Sequence, residues 1–248
     1  VFIEFPVDLL FGEDQVRDWY SKETSKNNNL KNRVVKWYLQ NHLRKMFSRV
    51  PSSLSKKPFK KKGFKISSSQ IQELAKKIRS SKQAVLLISS GAMQSPQQVN
   101  AFSEAVKKLA VPVYLSGMAR GLVGHQNEIQ FRHQRKQALR EADCIILAGV
   151  ACDFRLAYGK VLNQKAFKIA LNKSVQELNK NLSANIKIQC DPAEFIIQLA
   201  KQIDDFPKWT SWKEKLLKRE REREIQIDEM ARRSVEGINP IVLFQKME

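Results

Sequence analysis

Between Ser67 and Ile203 short apolar runs alternate with helical stretches, and this alternation constrains the chain more than any other feature. Ala84 to Ile88, Val111 to Leu115, Asp143 to Gly149, Phe167 to Leu171 and Asn185 to Gln189 read as strands. The intervening periodicity predicts helices over Ser69 to Arg79, Pro96 to Leu109, Gln130 to Ala142, Ser174 to Asn181 and Pro192 to Ile203. Short strands that are apolar on both faces belong in a parallel sheet covered by helices on both sides. The expected fold is therefore α/β: a Rossmann-like, doubly wound parallel sheet joined by right-handed crossovers, with helical extensions at both ends.

The flanks have a different texture. Val1 to Leu10 reads as a short strand and then a turn at Pro6; it lacks an initiator Met and begins mid-pattern, as a piece cut from a longer chain would. Lys22 to Asn32 is polar and reads as a loop, and Asn32 to Arg49 carries Val35, Leu39, Leu43 and Met46 at helical spacing. After Pro207 a long charged helix is expected from Trp209 to about Val235, with Arg219 to Glu224 alternating in sign as an exposed face. A last helical stretch covers Ile241 to Met247. The organisation expected is residues 1–11 as a remnant strand, 12–66 as a linker, 67–206 as the α/β domain and 207–248 as a helical extension. Both arms carry apolar stripes, including Trp37, Tyr38, Leu43, Phe47, Trp209, Trp212 and Leu216. Other protein chains of a larger complex are the expected cover.

Charge narrows the partners. The 248 residues hold 44 Lys+Arg against 25 Asp+Glu, a net +19. Between Arg44 and Lys65 there is no acidic residue, and Lys56, Lys57, Lys60, Lys61, Lys62 and Lys65 form a basic arm suited to a solvated linker or an anionic membrane surface. No stacking platform or finger motif accompanies it, so nucleic acid is not the expected partner. Cys144, Cys152 and Cys190 form no CxxC pair, which suits an intracellular, reducing compartment. His42, His125 and His133 have no metal-ligand spacing with them, and no metal site is expected.

In such a sheet, ligands sit at the carboxyl ends of the strands. Those ends carry Ser89, Ser90 and Gly91; Ser116, Gly117 and Met118; Gly149, Asp153 and Arg155; and Asp191. Small residues allow backbone to approach a phosphate, Arg155 offers a planar donor, and a carboxylate can accept from a ribose hydroxyl. Gly117, Gly121 and Gly124 do not follow a GxGxxG pattern, so spacing alone leaves a nucleotide pocket and ordinary turns equally open. No catalytic residue is expected: Ser89 and Ser90 lack a readable base, and Cys152 beside Asp153 has its thiol raised. Trp209 and Trp212, at helical spacing, are packing anchors.

These segments resemble the acetolactate-synthase-like and 2-hydroxyacyl-CoA lyase group of thiamine-diphosphate enzymes. The likeness is carried by Val1 to Leu10, Arg33 to Asn41, Gly117 to Gly124, Ala148 to Lys160 and Asn239-Pro240. It implies a chain covering the end of the pyrimidine-binding domain, a linker and the central domain. The group's catalytic glutamate and its Gly-Asp-Gly…Asn segment for Mg²⁺ and diphosphate are not found in this sequence, so thiamine diphosphate and Mg²⁺ are expected only with other chains. For the central domain the resemblance implies an ADP- or CoA-type nucleotide at the ten residues above, or an empty pocket. Ala151, Gln130 and Asn172 replace the Arg, His and Asp of FAD-binding relatives, which turns the expectation away from FAD. The implied role is a subunit or fragment that is inactive alone and structural in an assembly, in a mitochondrion or membrane-associated organelle. One piece of an active lyase is the alternative, and a free nucleotide module a further one.

Overall fold

A computed structural model describes residues 11–23, 30–47, 67–202, 207–234 and 237–247. The Val1 to Leu10 strand and the basic arm lie outside the described residues. The chain divides into two compact units, 1–61 and 62–248.

The first unit is a helix pair, α1 (Glu13–Glu23) and α2 (Leu30–Phe47). The helices pack together with Val16 and Leu43 buried, and Arg17 lies over the Phe47 ring at 5.3 Å. α1 was not expected from the sequence; its polar residues dominate and its apolar positions are few. Trp37 and Tyr38 stay exposed, as expected of an arm face.

The second unit is a six-stranded, all-parallel sheet in the order β3-β2-β1-β4-β5-β6. Its strands are β1 (Ala84–Ile88), β2 (Val113–Leu115), β3 (Gln130–Phe131), β4 (Cys144–Ala148), β5 (Phe167–Asn172) and β6 (Ile186–Gln189). Register is fixed at the centre by Leu86, opposite Val113 on one side and Ile146 on the other. Every residue of β1 and β4 is buried, which is why their sequences show no polar alternation. The helices are α3 (Ser68–Arg79), α4 (Val99–Leu109), α5 (Arg135–Glu141), α6 (Val175–Asn179), α7 (Pro192–Lys201), α8 (Thr210–Ala231) and α9 (Pro240–Met247). α7 packs against α4 and α3 on one face. This is the doubly wound sheet the apolar runs imply. No helix among the described residues is long and apolar enough to cross a membrane.

Three expectations are corrected. Gln130 to Ala142 is not one helix: Gln130 and Phe131 pair with β2 as an edge strand, and α5 begins at Arg135 after a left-handed Gln134. Trp209, Trp212 and Leu216 are not an uncovered stripe. All three are buried in the core of this chain. The indole N–H groups donate to Ser81 O and Ala84 O, both at 3.1 Å, so α8 closes the amino edge of the sheet. Nor is Arg219 to Glu224 exposed throughout: Arg221 and Glu222 are, but Arg219, Glu220, Arg223 and Glu224 are half-buried. Arg219 and Lys215 pair with Glu141 on α5, while Glu220 and Glu224 take hydrogen bonds from Arg132 and His133 beyond β3. These half-buried charges thus reach α5 or the segment after β3 or bond along α8, where Arg223 donates to Gln226 at 3.0 Å.

Candidate functional site

Strand order reverses between β1 and β4, the place where a ligand crevice is expected in a sheet of this kind. Here the two loops meet backbone to backbone. Gly91 N–H donates to Gly149 O at 3.1 Å, and a Cβ on Gly149 would overlap the backbone of Gly91 and Ala92. Ser90 Oγ accepts from the Met118 N–H at 3.1 Å, tying the β1 loop to the β2 loop, and Met118 itself is exposed. Ser89, Ser116 and Arg155 line one small cavity of about 40 Å³ with Arg135. The sequence-selected residues after β1, β2 and β4 therefore converge. Arg135 gives no signal in the sequence, where Gln130 to Ala142 has helical periodicity throughout, but it stands at the start of α5.

Asp153 and Arg155 are each other's partners. The carboxylate accepts the Arg155 backbone N–H at 2.9 Å, and the guanidinium reaches it at 2.6 and 3.0 Å. The hydrogen bonds from Arg155 hold Asp153 below the usual carboxylate range despite some burial. Asp191 is not part of the cavity. It caps α7 by accepting from Ala193 N–H at 3.0 Å, and its other oxygen takes Ser95 Oγ at 2.9 Å and Lys173 Nζ at 2.8 Å. Partial burial pushes its pKa up, but those bonds outweigh burial and keep it low. Asn172 closes the neighbouring turn, accepting from Ser174 N–H at 3.0 Å.

The thiols offer no nucleophile. Burial pushes Cys144 and Cys190 up to about 12, and burial together with Asp153 and Glu177 raises Cys152. Among the described residues one three-residue group could place ligand atoms around a metal: His133, Glu220 and Glu224, within 4.8 Å of one another. Sequence spacing hides it because Glu220 and Glu224 come from α8. Arg132 already holds Glu224 at 2.6 Å, and the backbone N–H groups of Arg132 and His133 hold Glu220, so the cluster serves as the α8 latch. Nothing among the described residues fits an Mg²⁺-diphosphate group, for the strand-end carboxylates are bound to Arg155 and Lys173.

The fold and the loop positions define a doubly wound α/β domain of the kind that carries a ligand crevice at its switch point. Residues 71–199 match the family described as "Thiamine pyrophosphate enzyme, central domain", and the chain belongs to it. All of the chain aligns with proteins named 2-hydroxyacyl-CoA lyase 2, at 34% identity in Caenorhabditis elegans and 32% in Homo sapiens. It spans 40% of the length of each. A shorter stretch, 23% of this chain, is 43% identical to 10% of a probable acetolactate synthase from Mycobacterium bovis. Thiamine diphosphate is the cofactor of the family in general.

Proposed function

We propose that this chain is the central, non-catalytic part of a thiamine-diphosphate-dependent carbon–carbon lyase or synthase of the 2-hydroxyacyl-CoA lyase kind. Its role is structural, within an assembly that includes other protein chains in a reducing compartment. The observation that carries this reading is the commitment of the strand-end groups. Asp153 is paired to Arg155, Asp191 caps α7, Ser90 holds the Met118 N–H, and Gly91 abuts Gly149. Neither carboxylate is left as a free general acid or base. Incubation of the chain with thiamine diphosphate, Mg²⁺ and a 2-hydroxyacyl-CoA or pyruvate is expected to give no turnover. Cofactor-dependent product above background would overturn the reading.

A nucleotide at the carboxyl edge is a second reading, favoured by Ser89, Ser116 and Arg155 lining one cavity. At about 40 Å³ that cavity is far below the roughly 300 Å³ of small-ligand sites, so the loops after β1 and β4 must part to admit ADP or CoA. Calorimetry with ADP, CoA and FAD on the chain and on Arg155→Ala tests it; heat that Arg155→Ala leaves unchanged counts against it.

A further inference from the structure

A larger cavity lies away from the switch point. It measures about 410 Å³ and is lined by residues from the β4–β5 connection and from the segment before β6. Leu162 and Leu182 supply buried apolar wall; Tyr158, Lys160 and Ser183 are exposed at its lining. Lys168, the second residue of β5, also lines it and is only 5% exposed. Its ammonium donates to the carbonyls of Asn163, Gln164 and Ala166 at 3.1, 3.1 and 3.0 Å.

Three N–H groups meet three acceptors, so the hydrogen bonding of Lys168 is complete. Its charge is not: carbonyl dipoles stabilise a cation without neutralising it, and a buried charge is costly unless paired. No carboxylate lines the cavity. The nearby Asp153 carboxylate is bound to Arg155. Among the described residues Lys160 has no carboxylate partner either. The wall is held in an unusual shape, with Ala157 and Tyr158 at φ 47° and 52° and Asn181 at 54°, conformations that persist only where the surroundings fix them.

We propose that this cavity binds a small organic anion, a carboxylate or a phosphate monoester. Lys160, Tyr158 and Ser183 take the oxyanion, Lys168 supplies a fixed positive potential behind it, and a short apolar portion lies on Leu162 and Leu182. The volume is in the range of small-ligand sites, about 300 Å³ and upward. The inference is independent of the function proposed above, since it uses neither Arg155 nor the Gly91–Gly149 contact.

The test is amide-resolved NMR on the isotope-labelled chain, titrated at constant ionic strength with inorganic phosphate and, separately, with butyrate. Saturable shifts at residues 158–164 and 181–183 are expected with at least one probe; the probe that saturates identifies the head group. Lys160→Gln, at an exposed position, is expected to weaken binding about tenfold, the loss of one charge-assisted hydrogen bond. Lys168→Met would leave three carbonyls without a donor and so confound folding with binding; Lys160→Gln decides. Arg155→Gln is expected to change nothing. Absence of saturable shifts with both probes overturns the proposal. So does binding that survives Lys160→Gln unweakened. Loss of binding in Arg155→Gln would place the anion at the strand ends, overturning this site while leaving the structural role untouched.

Discussion

At Gly149 the chain leaves β4 with φ +64°, and the backbone of Gly91 and Ala92 occupies the space a side chain would need. Neither neighbour can swing away, because both are main chain. Gly149→Ala is therefore expected to cost about 3 kcal/mol, combining the left-handed strain of an L-residue with overpacking. Gly121→Ala separates the two contributions: its φ is +88°, but nothing lies within 4 Å of the added Cβ, so only the strain of about 1–2 kcal/mol remains. Urea denaturation midpoints give both values; equal losses would mean that the two loops yield freely. The same scale shows what the sequence concealed. Ser89, Ser116 and Arg155 were readable as neighbours because each follows a recognisable strand. Asp191 reads as a strand-end ligand group, yet Pro192 follows it, and an Asp before a Pro is equally the start of a helix, the role it fills at α7. The Asp153–Arg155 pairing was invisible because it depends on the turn geometry of the loop, not on the spacing alone.

Among the elements, the strands that read clearly are those buried on both faces. Ala84–Ile88 and Cys144–Ala148 are unbroken apolar runs because helices cover both sides. β3 did not read, since two residues at an edge leave no pattern. α8 was legible as a helix, but its destination was not: the partner of Arg219 lies 78 residues away. Arg219 Nη2 donates to both oxygens of Glu141 at 2.8 Å, and Lys215 Nζ reaches Glu141 at 2.7 Å. Burial pushes the Glu141 pKa up, yet the bonds from Arg219 and Lys215 prevail and hold it below the ordinary value. A carboxylate depressed in the folded state contributes stability that is complete above its unfolded pKa of about 4.3 and is lost as pH falls through the lower, folded value. Glu141→Gln should thus lower stability near neutral pH by about 2 kcal/mol, by leaving the mostly buried Arg219 without its anion. It should also flatten the acid limb of the stability curve, because the group that titrates there is gone. Thermal or urea unfolding from pH 3 to 7 checks both; an acid limb as steep as that of the parent chain would show that α8 is not held by this pair.

For the whole molecule the question is which surfaces remain open once α8 has closed the sheet edge. Trp209, Trp212 and Leu216 are internal, while Ile225, Ile238, Phe244 and Met247 of the carboxyl-terminal arm remain exposed. The amino-terminal unit presents the aromatic face: on α2, Trp37 is 67% exposed and Tyr38 62%, with Val34 and Val35 also in the open. At about 25 cal/mol per Å², covering a few hundred Å² of such a face is worth several kcal/mol, enough to drive association. The net charge of +19 works against it, since like-charged copies repel. That opposition has a diagnostic sign. Salt shortens the Debye length to about 10 Å at 0.1 M, which screens the repulsion but leaves apolar contact intact. The chain is expected to self-associate through α2 more strongly as NaCl is raised, whereas contacts built on ion pairs would weaken. Trp37→Glu should keep it monomeric at every salt concentration, and acrylamide should quench the Trp37 emission of the monomer but not that of Trp209 or Trp212. Sedimentation velocity across the micromolar range reads the first outcome and fluorescence the second. A parent chain that stays monomeric in high salt, or one whose assembly dissolves as salt rises, would show that the α2 face is not what brings chains together.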